Sequence, residues 1–333
     1  MTASRVGIIG LGLVGSSVAR GLQPQVEVVG VDPDPDTMAA AESAGIAVVA
    51  EVSQLSDCDA ILLAAPTGTN SQLLQDEIAS GISRPVADLG SVKHPIQRAW
   101  LAADPKFPFV GTHPMSGSES AGFAAGAADM FTDAAWPVVV HELTDPAALL
   151  TVIELITVLG GRPVPVSAGN HDAAVALVSH LPHLLAGGLG QTLHGSPAQQ
   201  ELALRLAGGS YRDASRVSSS PADRTAEFLV ANGQAAAAAA RAAAESLQQV
   251  AVALAAGEET AVADWLSPAT TSRLTFSDRW QLREQREFVG DSVSLHRDLL
   301  RLRDTSCWVE RISGNSPGSW QLLIGIPESQ PHD

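Results

Sequence analysis

Cysteine is almost missing from this chain: Cys58 and Cys307 are the two in 333 residues. They lie far apart and show no metal or redox spacing. That excludes a disulfide framework and points to a reducing compartment, the cytoplasm. Aromatic residues are scarce at 4%, with a single tyrosine, while alanine is abundant. Helices must therefore pack largely through small side chains. Basic residues are outnumbered, 20 against 36 acidic, for a net charge of −16. No nucleic-acid footprint is expected from that balance. An anionic ligand is still allowed, but local arginines would have to bind it. No uninterrupted apolar run reaches about 20 residues, which argues against a membrane span. Five glycines between Gly7 and Gly21 break the first apolar stretch, so it does not read as a signal peptide. His171, Asp172 and His180 cluster in sequence without a matching cysteine or carboxylate set, so no metal is expected.

What is present is a changing pattern. Residues 5–10, 27–32, 46–49, 60–65, 85–88, 109–112, 137–140 and 162–166 read as short apolar strands. Helix-like segments at 13–22, 36–44, 69–82 and 147–159 alternate with them. The 60–65 segment (AILLAA) is apolar on both faces, as a central parallel strand requires. This alternation predicts a doubly wound α/β sheet. From 171 to 256 apolar residues recur at three- and four-residue spacing, which predicts an all-helical domain. Its alanine-rich stretch 231–244 is expected to be a buried helix, with the shared core of two subunits as one place for it. Residues 283–333 read as a small α+β appendage: strands near 287–289, 308–312 and 320–326, a helix at 294–303 and a turn at 315–318. It is too short to form a sizeable core alone. The expected domains are thus 1–166, 167–282 and 283–333.

Gly10-Leu11-Gly12-Leu13-Val14-Gly15 follows the first strand and opens a helix, the context that a G-x-G-x-x-G dinucleotide fingerprint needs. Gly10 permits the turn, Gly12 admits the pyrophosphate, and Gly15 lets helix and strand pack closely. The helix N-terminus at Leu13 and Val14 offers unpaired N–H groups to phosphates. Asp32 ends the second strand, 22 residues after Gly10. A carboxylate there binds ribose hydroxyls and repels a 2′-phosphate, so NAD is expected rather than NADP. Ala65 and Pro66 end the fourth strand, where small residues leave room beside a cofactor. The first domain is therefore expected to be of the Rossmann type.

Gly111-Thr112-His113-Pro114-Met115-Ser116-Gly117 places a histidine at the end of an apolar strand. A histidine there can accept a proton beside a cofactor bound at the carboxyl ends of parallel strands. Asp88-Leu89-Gly90-Ser91-Val92-Lys93 ends the preceding strand. Ser91 is read as a helix cap or as a donor to a catalytic group, and Lys93 as part of an anion site or a surface lysine. His183 lies among apolar residues in SHLPHLLA, at core-like spacing. In GSYRDASRV, Arg212 is read as pairing with Asp213, and Arg216 as the arginine that holds substrate.

Taken in order, GLGLVG, ADLGSVK, GTHPMSG, SHLPHLLA and GSYRDASRV resemble the prephenate/arogenate dehydrogenase family over roughly residues 5–280. The resemblance implies NAD-dependent oxidative decarboxylation of prephenate to 4-hydroxyphenylpyruvate, in tyrosine biosynthesis. It implies a homodimer whose helical domains interlock. It also implies His113 as the catalytic histidine, Ser91 as its support, His183 as a second histidine on the substrate side and Arg216 as the carboxylate-binding arginine. Lys93 and Ser116 are counted with the substrate residues. Tyr211 stands where the family commonly has phenylalanine, and Ser215 where it often has threonine. Arogenate dehydrogenase is the nearest alternative, and a non-catalytic NAD sensor a further one. Hydroxyacid dehydrogenases of similar plan would need a lysine base at the start of the second domain, and 171–186 contains no lysine.

Overall fold

The computed structural model describes residues 3–327, apart from 119, 194 and 317. Residues 1–2 and 328–333, at the outer ends of the first and third expected domains, lie outside the described residues, as does Pro317 in the expected turn. The chain folds as two compact units, residues 3–172 with 284–326, and residues 173–283.

In the first unit, β1 (Arg5–Ile9), α1 (Leu13–Leu22), β2 (Glu27–Val31), α2 (Pro35–Ser43) and β3 (Ala47–Val48) are followed by β4 (Ala60–Leu63), α3 (Thr67–Ser80), β5 (Val86–Asp88), α4 (His94–Ala103) and β6 (Phe109–Gly111). Then come β7 (Ala135–Val139), α5 (Pro146–Val158) and β8 (Arg162–Val166). Six strands form a parallel sheet in the order β3-β2-β1-β4-β5-β6. Alternate side chains feed two cores, one on each face, because the strand period is two. Val6, Ile8, Val28 and Leu62 pack with α1 and α5 through Val18, Leu22, Leu149 and Ile153. Ile9, Val31, Ile61 and Leu63 pack with α3 and α4 through Leu74, Ile96 and Trp100. Each strand therefore reads as continuously apolar.

The expected single sheet through residue 166 is divided in the structure. β7 and β8 form a separate parallel pair, tied to the main sheet by one antiparallel bridge, Thr112 to Val138. The reason lies between β6 and β7. A parallel neighbour needs a crossover of a dozen or more residues, usually helical. Among the described residues that connection holds only a three-residue 3-10 turn, Phe123–Ala125.

The helical segments are α6 (Ala168–Val175), a π-helical turn Ala176–His180, α7 (Leu181–Thr192), α8 (Pro197–Leu206), α9 (Gly209–Ser215), α10 (Ala222–Ala231), α11 (Gly233–Ala256) and α12 (Glu259–Ser277). The alanine-rich stretch is helical, but within one chain it is not the buried helix expected. In α11 only Ala236, Ala239 and Val250 are buried. Val252 of the same helix is 71% exposed. Residues 168–192 are long and apolar enough to cross a membrane by length and composition alone. Within that stretch His171, Asp172 and His180 are buried and hydrogen-bonded, while Leu177, Val178 and Leu185 are exposed.

The last segment is β9 (Leu282–Gly290), α13 (Ser292–Leu302), β10 (Trp308–Ser316) and β11 (Ser319–Pro327), with the sheet order β10-β11-β9. It builds no core of its own. Leu295, Leu299, Val309, Leu322 and Ile324 join the cluster that contains α5. Arg303 Nη1 donates to the Val140 carbonyl (3.0 Å), and Asp304 accepts from Ser167 N (2.8 Å).

Candidate active site

The carboxyl edge of the parallel sheet collects the residues of interest in the first unit. Asp32 follows β2, Gly10 follows β1, Ala65 and Pro66 follow β4, Ser91 follows β5 and His113 follows β6. Open parallel sheets bind ligands at this edge, where strands give way to loops.

Gly10 adopts φ +96°, and a Cβ there would lie 2.9 Å from the Ala64 carbonyl carbon. At Gly15 a Cβ would come to 1.8 Å from the Gly10 oxygen, so nothing larger fits beneath α1. Gly12 is the opposite case, since a Cβ there would meet nothing within 4 Å. The turn is therefore tight on its inner side and open at the N-terminus of α1, which has no side-chain cap. Asp32 Oδ2 accepts from Leu11 N (2.7 Å) and Oδ1 from Asp34 N (3.0 Å), which orients the carboxylate beside this turn. Asn70 satisfies the end of β4: Oδ1 accepts from Ala65 N (3.1 Å) and Nδ2 donates to Leu63 O (3.1 Å). An uncapped helix N-terminus, an open approach at Gly12 and a fixed acidic group fit a dinucleotide.

His113 is half-buried, and its Nδ1 lies 3.0 Å from His171 Nε2. His171 Nδ1 in turn lies 2.7 Å from Asp172 Oδ1. Burial pushes the His171 imidazole below its usual value, opposed by its bond to Asp172. Burial alone would raise the Asp172 carboxyl. Hydrogen bonds from His171, Lys93 N and His94 N outweigh it and hold the group below the usual range.

Two sequence expectations need correction here. Lys93 is neither a surface lysine nor open to a substrate anion. It is fully buried, and its Nζ donates to Asp88 and to the Thr112 carbonyl (2.6 Å). Desolvation pushes Asp88 up and Lys93 down, while their attraction opposes both shifts. The ammonium thus ties the ends of β5 and β6 together, one residue before His113. Ser91 does not cap α4. The Lys93 and His94 N–H groups at that helix start are taken by the Asp172 carboxylate, at 2.8 and 2.9 Å. The Ser91 hydroxyl is half-buried and has no hydrogen-bond partner among the described residues. Ser116 donates to the Met130 carbonyl (2.7 Å) and so ties down the loop after His113.

The second unit holds the other expected residues. His183 meets Phe228 of α10 edge to face at 5.2 Å, and His180 stacks on the same ring at 5.0 Å. Burial lowers the His183 imidazole first, and the charges of Arg216 and Arg224 push it further the same way. Both guanidinium groups therefore act on this histidine. Arg224 lies one turn before Phe228 on α10, so Arg224 and Phe228 share a helix face. Arg212 pairs with Asp213 at 2.9 Å, as the sequence suggests.

Sequence reasoning misses the partnership of His171 and Asp172 with His113 and considers the pair only as metal ligands. The available signal is a His-Asp dipeptide just after the last strand of an α/β unit, with no thiolate nearby. Arg224 is missed as well, because its distance from Arg216 hides their common neighbour.

The fold and these residues define a two-part protein: a dinucleotide-binding α/β unit followed by helices. Residues 18–164 match the family of the prephenate dehydrogenase nucleotide-binding domain, and residues 167–267 that of the prephenate dehydrogenase dimerization domain. The prephenate dehydrogenase of Bacillus subtilis is 28% identical over 68% of this chain and 63% of its own length. The chain thus spans less than two thirds of that relative. The cyclohexadienyl dehydrogenase of Zymomonas mobilis is 30% identical over 69% of this chain and 81% of its own. Among solved structures, A. aeolicus prephenate dehydrogenase in complex with hydroxyphenyl propionate and NAD+ superposes with a TM-score of 0.76. It covers 83% of this chain and 99% of its own, at 23% identity. The chain belongs to the prephenate/arogenate dehydrogenase family.

Proposed function

We propose that this protein is an NAD-dependent prephenate dehydrogenase of tyrosine biosynthesis, converting prephenate to 4-hydroxyphenylpyruvate and CO2. The observation that carries the reading is the placement of His113. It follows a parallel strand at the same sheet edge as the Gly10–Gly15 turn and Asp32. The same catalytic plan serves arogenate, which differs only in bearing an amino acid side chain.

Bound along Gly10, Gly12, Leu13, Val14 and Gly15, with Asp32 on a ribose and Ala65 and Pro66 alongside, NAD supplies the hydride acceptor. His113 accepts the proton of the ring hydroxyl as the carbinol carbon loses its hydride. General-base assistance of this kind contributes about 10²–10⁴-fold. The ring carboxylate then leaves as CO2. Its bonding pair aromatises the ring, and the imidazolium of His113 returns its proton to the ring oxygen. Arg216 holds a substrate carboxylate, and His183, on which the charges of both Arg216 and Arg224 act, lies on the same anionic end. Ser91 contributes a hydroxyl at the mouth of β5. Arg216→Ala is expected to raise KM about tenfold or more with a smaller effect on kcat, as for a residue that binds and orients. Unchanged KM would move the anion site elsewhere.

The domain roles follow: 1–166 binds cofactor and 167–282 binds substrate and forms a homodimer, while the expected third domain is packed into the first unit through residues 284–326. The exposed apolar residues of 173–283 support the dimer. The buried, unpaired Cys58 and Cys307 support a cytoplasmic setting. The deciding experiment follows the reduced-nicotinamide absorbance with prephenate or arogenate, each with NAD or NADP. Prephenate with NAD is expected to give the highest kcat/KM. Preference for arogenate would replace the substrate, and cofactor binding with no turnover in any pairing would favour a sensor.

A further inference from the structure

We propose that His171 and Asp172 are positioning residues that fix which ring nitrogen of His113 carries a proton. The inference deepens the reading of His113 as proton acceptor and rests on it. It follows from donor and acceptor bookkeeping along one chain of contacts.

Asp172 is held ionised by three donors, of which two are fixed backbone N–H groups at the start of α4. An ionised carboxylate only accepts, so His171 Nδ1 must carry the hydrogen in their 2.7 Å contact. His171 is held neutral by burial, so its Nε2 bears a lone pair. That nitrogen lies 3.0 Å from His113 Nδ1 and can only accept from it. His113 Nδ1 therefore carries the proton, and Nε2 is the basic nitrogen. The rings meet edge to face, with centroids 5.2 Å apart, which suits such an in-plane bond to one edge.

The same chain serves the protonated state. When His113 takes a proton on Nε2, its Nδ1–H still donates to His171. The positive charge then faces Asp172 through one polarisable ring. Charges packed against His171 include the Lys93 ammonium and the Asp88 carboxylate, a buried pair that contributes no net charge. Asp172 places a carboxylate charge at the far end of the row, next to His171. The logic parallels the aspartate of a serine protease triad, which holds its histidine in one tautomer and steadies the imidazolium. Here a second imidazole stands between them.

The first test is the imidazole 15N spectrum of the intact wild-type protein near pH 8, with His113 assigned by His113→Asn. The expected result is the Nδ1–H tautomer at both His113 and His171. An Nε2–H tautomer at His113 overturns the proposal whatever the variants do. The second test is the pH dependence of kcat with prephenate and NAD for Asp172→Asn and His171→Phe. Activity rises with pH as His113 loses its proton. Removing the carboxylate charge destabilises the imidazolium, so the acidic limb should move to lower pH by about one unit. Plateau turnover should fall about 10- to 10³-fold, with KM little changed. Asparagine still caps helices well, so Asp172→Asn retains much of the support of α4. A merely structural role would lower activity without moving the limb, and an unmoved limb overturns the proposal. The two readings fail separately. Full turnover by His113→Asn would sink the base assignment, while the wrong tautomer in an enzyme that needs His113 would sink only this one.

Discussion

His113→Asn is expected to lower turnover of prephenate by about 10³-fold and to leave substrate and NAD affinity within a few-fold of wild type. The asymmetry follows from where the side chain sits. The His113 backbone belongs to the exit of β6, held by its own N–H to Pro137 O (3.1 Å) and by Lys93 on the neighbouring Thr112 carbonyl. Asparagine keeps that backbone and a polar tip but has no titrating nitrogen. Asn can neither take the hydroxyl proton nor return it to the ring oxygen. In the proposed site, binding rests instead on the glycine turn, Asp32 and the arginines, which this substitution leaves untouched. Steady-state kinetics with separate equilibrium binding would check this. Near-normal kcat would remove His113 from the proton-transfer role.

Lys93→Met is expected to destabilise the protein by about 3–5 kcal/mol, because it leaves one half of a buried ion pair without its partner. Both side chains of the pair are fully buried. Burial already pushes the Asp88 carboxyl up, and without the ammonium it protonates or stays charged at high cost. The Thr112 carbonyl also loses a donor, so the strand end that carries His113 loosens. Chemical denaturation would measure the loss. The double variant Lys93→Met with Asp88→Asn is expected to recover part of it, since no uncompensated charge then remains. If Lys93→Met alone costs under about 1 kcal/mol, the pair does not hold these strand ends.

The order of strands and helices to residue 166 is legible because the central strands are apolar on both faces, as in β4, and the turns between them carry their own signals. The glycine turn is legible for the same reason: Gly10 and Gly15 stand where any side chain would strike backbone. The separation of β7 from the main sheet is not legible, because the residues of β7 look like those of any buried strand. It is decided by the connection before it. The buried state of Lys93 is also hidden. Its partners, Asp88 and Thr112, lie 5 and 19 residues away, and only strand pairing brings them together. His171 and Asp172 show the same limit across 58 residues to His113. The alanine-rich helix is right in kind but not in environment, since alanine marks helix propensity and not which face of the helix is covered.

The terminal segment changes how the molecule should be cut. The family-matched span stops at residue 267, and a cloning boundary drawn there would look natural. It would strip Leu295, Leu299, Leu322 and Ile324 from the face of α5 and leave that helix greasy and wet. The sensible truncation point for any expression vector therefore lies beyond β11. What looks like an add-on beyond the family's span is a wall of the cofactor half itself.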